Sequence, residues 1–384
     1  MRILIVGGGI VGLAHAVAAV RRGWEVTLVE RNPQPAGASV RNFGMVWIIG
    51  QPAGECRELA LVSREHWLRL AGEAGFWCSP CGSLHVARHA DELAVIEEFV
   101  AGEGEALGCE VLTPEATRGR CPAVREEGLM GALWSPHELA VDPREAIARI
   151  TTWHACQPRV TLVFGHPIVA IDDQQARSAS GRKYSASSIY LCTGADFGSF
   201  PIERRWQEEV TRCKLQMLRT AQQPAGWRLG PHVAGGLSLR HYDTFAACPS
   251  MAQLRKRFRG ENPLYDRFGI HVMAAQNGSG EVLIGDSHEY GQHISPFSRE
   301  EIDDLILAYA GHMLDVPESR PVSRWHGVYL KCTGGRPFLN MHPNPSMRVV
   351  NGLGGAGMTL SLELAVRNMA LETDRRRNEM WSVE

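Results

Sequence analysis

Apolar and polar positions along the first 30 residues predict a strand, a turn, a helix and a second strand. Residues Ile3–Val6 form an unbroken apolar run, which is typical of a strand that is buried on both faces. A helix-length segment runs from Ile10 to Arg22 and ends at Gly23, and Glu25–Glu30 then predicts the second strand. Strands that alternate with helices indicate an α/β fold with a parallel sheet.

Three glycines lie in the turn between the first strand and its helix. Gly7 permits a tight turn, Gly9 leaves room for a pyrophosphate against the backbone, and Gly12 lets the helix pack closely on the strand. Glu30 follows about 20 residues later, where a carboxylate can accept both ribose hydroxyls of an adenosine. The stretch therefore predicts a dinucleotide site, with a purely structural turn as the alternative.

The rest of the chain departs from this alternation in two inserted regions. Helices are predicted at 55–74, 91–107, from 113, from 142, at 251–259 and at 300–314, and strands at 83–87, 110–112, 128–134, 160–164 paired with 168–171, 188–192, 210–218, 237–240, 268–274 and 282–284. We assign residues 1–75, 140–205 and 325–384 to a Rossmann-type nucleotide-binding domain. Residues 76–139 and 206–324 are assigned to a mostly antiparallel β substrate domain.

A second glycine-rich turn lies near the end of the chain. A strand at 348–352 leads into Gly354, Gly355 and Gly357, and a helix begins around Met358 and Thr359. The N-terminus of such a helix favours negative charge. Close packing of backbone on the sheet explains these glycines equally well, but not their similarity to the first turn.

Composition and charge narrow the function classes. A chain of 384 residues with 44% hydrophobic and 21% charged residues predicts a soluble globular protein of two or three domains. Its formal net charge of −2 gives no general attraction to nucleic acid or anionic membranes. No apolar stretch reaches the roughly 18 residues of a membrane span, and the chain begins directly with the first strand, so we expect a cytoplasmic protein. Cys78 and Cys81 lack a second cysteine pair, so we expect a reduced structural pair and no metal site.

The loop after Glu30 carries the residues of a recognisable pattern. Its Ser39, Arg41, Asn42, Gly44 and Met45, the later Thr193-Gly194-Ala195 segment and the second glycine turn together resemble the D-amino-acid-oxidase-like family of FAD-dependent oxidoreductases. That family includes the glycine and sarcosine oxidases, and the resemblance covers nearly the whole chain. It implies that FAD is held by Gly7, Gly9, Ile10, Val11, Gly12, Glu30, Arg31, Ser39, Arg41, Asn42, Gly44, Met45, Val169, Thr193, Gly194, Gly354, Gly355, Gly357, Met358 and Thr359.

One branch of the family fits better than the others. Segments 39–45, 193–197, 213–217 and 354–360 resemble a bacterial subgroup linked with aminophosphonate breakdown. The resemblance implies oxidation of a C–N bond: hydride moves from a small amine to flavin N5, the imine hydrolyses to aldehyde plus amine, and O2 is reduced to H2O2. The expected substrate is 2-aminoethylphosphonate or its N-methyl derivative. Glycine, sarcosine or a D-amino acid is the alternative.

Two departures from the family pattern leave alternatives open. Val282 or Leu283 stands where sarcosine-oxidase-like relatives carry a lysine for oxygen activation. A dehydrogenase with another electron acceptor is therefore possible, as is a different cation in the same role, with Lys214, Lys331 or His271 as candidates. Some relatives attach the flavin through cysteine, for which Cys332 is the candidate here, with noncovalent binding as our expectation. A nicotinamide-dependent dehydrogenase would not need the second glycine turn, and a module without enzymatic activity would not need so large a substrate domain.

Candidate catalytic residues come from polar and aromatic positions expected around the flavin. An anionic head group needs several convergent donors, and a small pocket also needs aromatic walls. The resulting candidates are Arg41, Lys214, Tyr242, His271, Trp325 and Tyr329, with Arg240, His241, Lys331 and Arg336 as further cations or donors to be tested.

Overall fold

The computed structural model describes residues 1–198 and 204–381, and residues 199–203 and 382–384 of the predicted nucleotide-binding domain lie outside them. A six-stranded sheet forms the first layer. Four of its five strand pairings are parallel, and the pairing of Leu339–Asn344 with Met347–Asn351, at one edge, is antiparallel. The strand order across the sheet is Leu339–Asn344, Met347–Asn351, Ser188–Leu191, Arg2–Val6, Glu25–Glu30 and Val160–Phe164.

The first strand occupies the centre of this sheet because both of its faces are covered. Ile3, Leu4 and Ile5 are fully buried, as their unbroken apolar run predicts. Leu13 and Val17 of the first helix belong to the same apolar core as Ile3 and Ile5. The helices of this half are Ile10–Val20, Glu55–Ala74, Pro143–Ala155 and Gly357–Trp381.

A nine-stranded, mostly antiparallel sheet forms the second half of the protein. Its order is Glu289–Gly291, Val210–Gln222, Glu281–Gly285, Met273–Gln276, His232–Ala234, Ser83–Ala87, Gly131–Ser135 and Glu110–Leu112, and Pro321–Cys332 pairs with Val210–Gln222. The helices around it are Ala90–Phe99, Pro114–Arg120, Arg204–Glu208, Gly236–His241, Met251–Glu261, Leu264–Arg267 and Glu300–Met313. The α/β class with a Rossmann-type domain and a mostly antiparallel second domain is therefore confirmed.

Shorter elements complete the described structure. The helix that begins at Ala90 continues as a π-helical segment, Val100–Gly104, and a 3-10 turn, Glu105–Leu107. Two three-stranded sheets lie outside the main ones: Met45–Val46 with Leu139–Val141 and Cys78–Pro80, and Ile168–Asp172 with Gln175–Ser178 and Lys183–Ser185. Further 3-10 turns lie at Ala38–Val40, Asp243–Phe245 and Gly354–Ala356. Among the described residues, no helix has both the length and the apolar character needed to cross a membrane.

Several sequence-based assignments are wrong in detail. Residues 237–240, predicted as a strand, lie in the helix Gly236–His241, because a short apolar run does not distinguish the two. Strand 160–164 pairs with Glu25–Glu30 and not with 168–171. The strand predicted at 268–274 begins only at Met273. The predicted domain boundary at residue 325 falls inside the strand Pro321–Cys332, which belongs to the large sheet along its whole length.

Candidate active site

The first glycine turn is packed so tightly that side chains are excluded at two of its three glycines. A Cβ at Gly7 would lie 2.3 Å from the carbonyl oxygen of Cys192, and a Cβ at Gly12 would lie 2.0 Å from that of Gly7. Gly9 differs, since its nearest neighbour would be the Ser39 hydroxyl at 2.9 Å. Gly7 and Gly12 therefore hold the turn against the sheet, whereas Gly9 leaves a gap at the start of the first helix.

Glu30 lies beside this turn and holds its backbone. The Glu30 carboxylate accepts the backbone N–H of Gly8 at 2.7 Å through Oε2, and both N–H groups of Asn32 through Oε1. Neighbouring Arg31 pairs with Asp196 at 2.6 Å. The backbone N–H of His166 donates to the carbonyl oxygen of Glu30, which brings the segment before Val169 to this end of the sheet. Val169 itself is 45% exposed.

The loop from Ser39 to Trp47, named here the flavin loop, connects the two halves of the protein. Ser39 Oγ accepts the backbone N–H of Ile10 at 2.9 Å. The Asn42 side chain is used within the loop, because its amide donates to the carbonyls of Ala38 and Ser39 and its oxygen accepts the N–H of Gly44. Gly44 has a φ of 76°, and a Cβ there would lie 1.9 Å from the Val141 carbonyl oxygen.

The second glycine turn meets the first at the top of the six-stranded sheet. A Cβ at Gly357 would lie 3.8 Å from the Ile10 side chain, so the N-termini of the first and last helices are neighbours. Thr359 Oγ1 accepts the backbone N–H of Trp47 at 3.0 Å, which fastens the flavin loop to the last helix. Gly194 lies between the turns, where its carbonyl oxygen accepts the Asn351 amide at 3.0 Å.

These contacts bring four distant segments together at the carboxyl ends of parallel strands. Ligands bind at this position in open α/β sheets. Two helix N-termini supply backbone N–H groups and partial positive charge, which suit a pyrophosphate and an electron-rich ring system. The absence of a side chain at Gly9 lets a pyrophosphate come close to the backbone, so the residues present fit a dinucleotide such as FAD.

Polar side chains adjoin the second glycine turn on the side of the large sheet, and the region that they border is named here the chamber. A Cβ at Gly355 would lie 3.7 Å from the Tyr329 hydroxyl, and a Cβ at Gly354 would lie 3.6 Å from the Lys331 side chain. On the opposite side, the Tyr242 ring lies near Trp47 of the flavin loop, with ring centroids 6.0 Å apart. The chamber thus lies between the nucleotide-binding half and the strands of the substrate domain.

Three histidines and one aspartate, named here the histidine cluster, line this chamber. His241, His271 and His288 place ring nitrogens within 4.8 Å of one another. Asp286 Oδ1 lies 3.0 Å from His271 Nε2 and 3.9 Å from His288 Nδ1. Its approach to His271 is off the direction of a hydrogen bond, so Asp286 Oδ1 accepts none among the described residues. The backbones of His271 and Asp286 exchange two hydrogen bonds, of 3.2 and 2.8 Å, which fixes them opposite each other.

Tyrosines form the remaining polar wall. Burial raises the pKa of the Tyr242 and Tyr329 phenols well above the usual value, and nearby Asp286 acts in the same direction. Burial also raises the pKa of Tyr290, whose ring lies 5.7 Å from Lys331 Nζ. All three phenols are therefore neutral at physiological pH and can donate hydrogen bonds to an anion.

The predicted cations are distributed over different places. Lys214 lies on the face of its strand away from the flavin loop, where its amine donates to the Phe297 carbonyl and lies 3.4 Å from Glu289. Arg240 pairs with Asp266, and Arg336 pairs with Glu209 at an exposed position. Tyr242, His241, His271, Tyr329 and Lys331 are the predicted residues that the fold brings together around the chamber.

Arg41 and Trp325 connect the flavin loop to the large sheet. The Arg41 guanidinium donates to the carbonyl of His326 at 3.2 Å, and the Trp325 indole donates to the carbonyl of Arg41 at 3.1 Å. Arg144 also lies over the Trp325 ring, 5.1 Å from its centroid. The hydrogen bonds of Arg41 and Trp325 therefore hold the flavin loop against the large sheet, and neither side chain forms a hydrogen bond with the histidine cluster.

His288 and Asp286 were missed by the sequence reasoning. Both follow the strand Glu281–Gly285, in a stretch with no periodic pattern that would mark them. The sequence offered one signal for them, a histidine (His288) two residues after an aspartate (Asp286) at the end of a predicted strand. Only the hydrogen-bonded pairing of residues 268–271 with 286–288 makes it meaningful.

Cysteines contribute little to this site. All ten are free thiols, including Cys78 and Cys81. Cys332 is buried, and burial raises the pKa of its thiol to about 11. Cys213 lies in the chamber wall, where burial raises the pKa of its thiol to about 12 and Tyr329 interacts with it.

Fold and site together define a flavoprotein oxidoreductase. A model of the family of FAD-dependent oxidoreductases that includes D-amino-acid oxidases matches residues 2–366, and the chain belongs to that family. Glycine oxidase of Geobacillus kaustophilus is 23% identical over 361 residues, which cover 89% of this chain and 84% of that enzyme. Its crystal structure superimposes with a TM-score of 0.77 at 19% identity, covering 97% and 95% of the two chains.

A longer relative matches over part of its length. The tRNA 5-methylaminomethyl-2-thiouridine biosynthesis bifunctional protein MnmC of Pseudomonas fluorescens is 26% identical over 253 residues, or 60% of this chain. The match spans only 37% of that protein. The family and the FAD dependence of this chain are established by these comparisons, and the subgroup linked with aminophosphonates is not among them.

Proposed function

We propose that this protein oxidises a C–N bond of a small amine that carries an anionic head group, with an aminophosphonate as substrate. 2-Aminoethylphosphonate and its N-methyl derivative are the compounds that best match this description. The observation that carries the proposal is the chamber beside the second glycine turn, which combines an acceptor for N–H with donors for an anion.

The acceptor is Asp286. Its Oδ1 is buried and accepts no hydrogen bond among the described residues, although His271 Nε2 lies 3.0 Å away, so the oxygen can accept a donor from a ligand. An amine N–H is such a donor. An amine held there through a hydrogen bond would keep its nitrogen oriented while its carbon faces the cofactor.

The donors are the imidazoles, the tyrosine hydroxyls and Lys331. Tyr329 and Lys331 both lie next to the second glycine turn. Lys331 is exposed and forms no ion pair with any residue in the described ranges 1–198 and 204–381, so its charge is free to meet a ligand, whereas Arg240 and Arg336 are already paired. A tetrahedral dianion offers three oxygens to such a set, more than a carboxylate would use.

FAD would be held by the residues around the two glycine turns and would supply the two-electron acceptor for the substrate's hydride. Gly9 and the N–H groups at Ile10 and Val11 suit the pyrophosphate, and Glu30 suits the adenosine ribose. The N-terminus of the last helix at Gly357–Thr359 places positive potential near the ring. Asp286 and the tyrosines orient the amine, and its imine product hydrolyses to aldehyde plus amine.

An amino acid substrate is the second candidate, because the glycine oxidase of Geobacillus kaustophilus matches almost the whole chain. A transfer-RNA substrate, suggested by the longer relative, is disfavoured by the net charge of −2. Whether O2 or another acceptor takes the electrons is part of the proposal: we favour O2, with H2O2 as its product.

Anaerobic bleaching of the flavin absorbance near 450 nm tests the substrate. The FAD-loaded protein is mixed with 2-aminoethylphosphonate, its N-methyl derivative, glycine, sarcosine and D-alanine. We expect the phosphonates to bleach the flavin fastest, and Asp286→Asn to slow bleaching far more than Asp243→Asn, which changes an exposed acid on the neighbouring turn. Bleaching by the amino acids alone would reject the phosphonate, and readmitting air then shows whether O2 restores the absorbance with formation of H2O2.

A further inference from the structure

The three imidazoles of the histidine cluster are stacked on one another. The His241 and His271 rings lie 3.8 Å apart between centroids with planes 24° apart, and the His271 and His288 rings lie 4.9 Å apart at 26°. His271 and His288 are almost completely buried. Three adjacent imidazoles in one chamber are not needed to form a core, so their grouping calls for a ligand.

The stacking disfavours a metal ion. A histidine binds zinc along the lone pair in its ring plane, at about 2.0–2.1 Å, so ligand nitrogens converge on one point. Nearly parallel rings whose centroids are 3.8 Å apart cannot both direct their lone pairs at a single ion. Neighbouring rings can, however, donate side by side to separate oxygens of one tetrahedral anion. His241 and His288 are the rings placed to do so, because the two nitrogens of His271 already lie 3.3 Å from Ser238 Oγ and 3.0 Å from Asp286 Oδ1.

Hydrogen bonds within the cluster show what donation would require. His288 Nδ1 lies 3.1 Å from the carbonyl oxygen of Gly269, so its Nδ1 carries the proton and a neutral ring leaves only a lone pair on Nε2. His271 Nδ1 lies 3.3 Å from the Ser238 hydroxyl. The His241 ring makes no hydrogen bond with the described part of the chain. An anion can therefore receive an N–H from His288 Nε2 only if that ring gains a proton.

Lys331 favours an anion beside these rings, whereas the Asp286 carboxylate opposes one. Burial is the main reason that the pKa of His241 lies well below its usual value, and the neighbouring His271, His288, Lys331 and Arg240 act in the same direction. Burial lowers the pKa of His288 to about 4, where His271 and Lys331 also lower it and Asp286 opposes them. The tyrosines that face the cluster, Tyr242, Tyr290 and Tyr329, are neutral. Both imidazoles are thus uncharged near neutral pH when the chamber holds no anion.

We propose that the imidazoles of the histidine cluster and Lys331 form the subsite for the anionic head of the substrate, and that binding of this dianion takes up a proton onto His241 and His288. The identity of the head as part of an amine substrate rests on the proposed function. The proton uptake follows from the chamber alone, because any tetrahedral dianion placed there would meet the same donors.

The direction of the pH dependence follows from linkage. A bound dianion raises the pKa of His241 and His288 above that of the empty protein, so the bound state holds more protons. Affinity for the dianion therefore falls as pH rises. Uptake of one full proton corresponds to a tenfold weaker affinity for each pH unit.

Sulfate is a suitable probe because it remains a tetrahedral dianion throughout the range used. Its binding to the full-length, FAD-loaded protein is measured between pH 5.5 and 8 by the perturbation of the flavin spectrum. Calorimetry in two buffers of different ionisation enthalpy counts the protons. We expect the dissociation constant to rise about tenfold per pH unit and the calorimetric uptake to approach one proton.

Two variants separate the cluster from other histidines. His288→Gln keeps an amide at the site but cannot titrate, so we expect weaker sulfate binding with a much flatter pH dependence. His154→Gln is the matched control: His154 is also fully buried, has its Nδ1 on a backbone carbonyl at 2.8 Å and has its pKa lowered to about 4, but belongs to the helix Pro143–Ala155. Its sulfate binding should match that of the parent.

Three results would overturn the inference: no sulfate binding, a pH dependence that His288→Gln leaves unchanged, or one equivalent of a transition metal in the purified protein. Failure of the proposed function would look different. If sulfate binds with proton uptake but no amine bleaches the flavin, the anion subsite is retained and amine oxidation is rejected. If an amine bleaches the flavin but sulfate does not bind with proton uptake, amine oxidation is retained and the anion subsite is rejected.

Discussion

Replacement of Gly9 by alanine should separate cofactor binding from folding. The new Cβ would lie 2.9 Å from Ser39 Oγ, closer than ordinary van der Waals contact, but it meets no backbone atom within 4 Å outside its own neighbours. The serine can rotate away, which removes the acceptor of the Ile10 N–H at 2.9 Å. One partly buried hydrogen bond contributes about 1 kcal/mol, so the apoprotein should lose roughly that much stability.

The effect on FAD should be larger. The methyl group would fill the gap through which a pyrophosphate approaches the helix N-terminus, and hydrogen bonds to a charged group contribute about 1.5–3 kcal/mol each. Loss of one such bond corresponds to about 10- to 150-fold weaker FAD binding. The assay is titration of the apoprotein with FAD, followed by quenching of flavin fluorescence, alongside urea unfolding without cofactor.

Three further variants make the comparison interpretable. Ser39→Ala removes the same hydrogen bond without adding bulk, so it should reproduce the loss of stability but only a small part of the loss of affinity. Gly12→Ala places a Cβ 2.0 Å from a backbone carbonyl and should destabilise the fold by about 1–3 kcal/mol. Gly119→Ala, in a helix with open space around it, should change neither property by more than about 1 kcal/mol. FAD affinity within twofold of the parent in Gly9→Ala would refute the reasoning.

Three other predictions concern the flavin and the buried His154. Thr359→Asp should lower the flavin reduction potential by about 20 mV relative to Thr359→Asn, because about 1 kcal/mol of repulsion acts on the reduced ring. Equal potentials in the two variants would show that the N-terminus of the last helix does not lie beside the flavin ring. Acid precipitation should release yellow FAD from both the parent and Cys332→Ser, and colour retained in the parent pellet alone would indicate a thioether. Burial lowers the pKa of His154 to about 4, so the unfolded chain binds the proton more readily and the stability of the parent should fall as pH drops from 6.5 towards 4. In His154→Gln this fall, measured by urea unfolding, should be smaller by about 3 kcal/mol.

Local patterns in the chain predicted most of the nucleotide-binding half. The strand Arg2–Val6, the first glycine turn and Glu25–Glu30 follow each other within 30 residues, and their apolar periods and glycine spacing need no distant partner to be recognised. The segment Gly236–His241 was harder to assign, because six residues are too few to distinguish the helical period of 3.6 from the strand period of 2. Its helical form matters, since it places His241 at the helix end, beside His271.

The choice among candidate cations could not be made from residue type. Lys214 and Cys213 are adjacent in one strand, yet their side chains lie on opposite faces, so the lysine meets Glu289 while the cysteine meets Tyr329. Which face is which depends on the pairing of that strand with Pro321–Cys332 over its whole length. A shift of one residue in this register would exchange the two.

The sequence by itself determined the α/β class and the presence of two glycine turns, the first followed by the acid Glu30, because each depends on neighbouring residues and on short periodic patterns. Tertiary structure alone decided that the two turns meet at Ile10 and Gly357, and that His241, His271, His288 and Asp286 share one chamber. Those residues come from a helix end and from two segments joined by backbone hydrogen bonds between 268–271 and 286–288. Contacts of this kind arise from strand register and packing, which act between residues far apart in the chain.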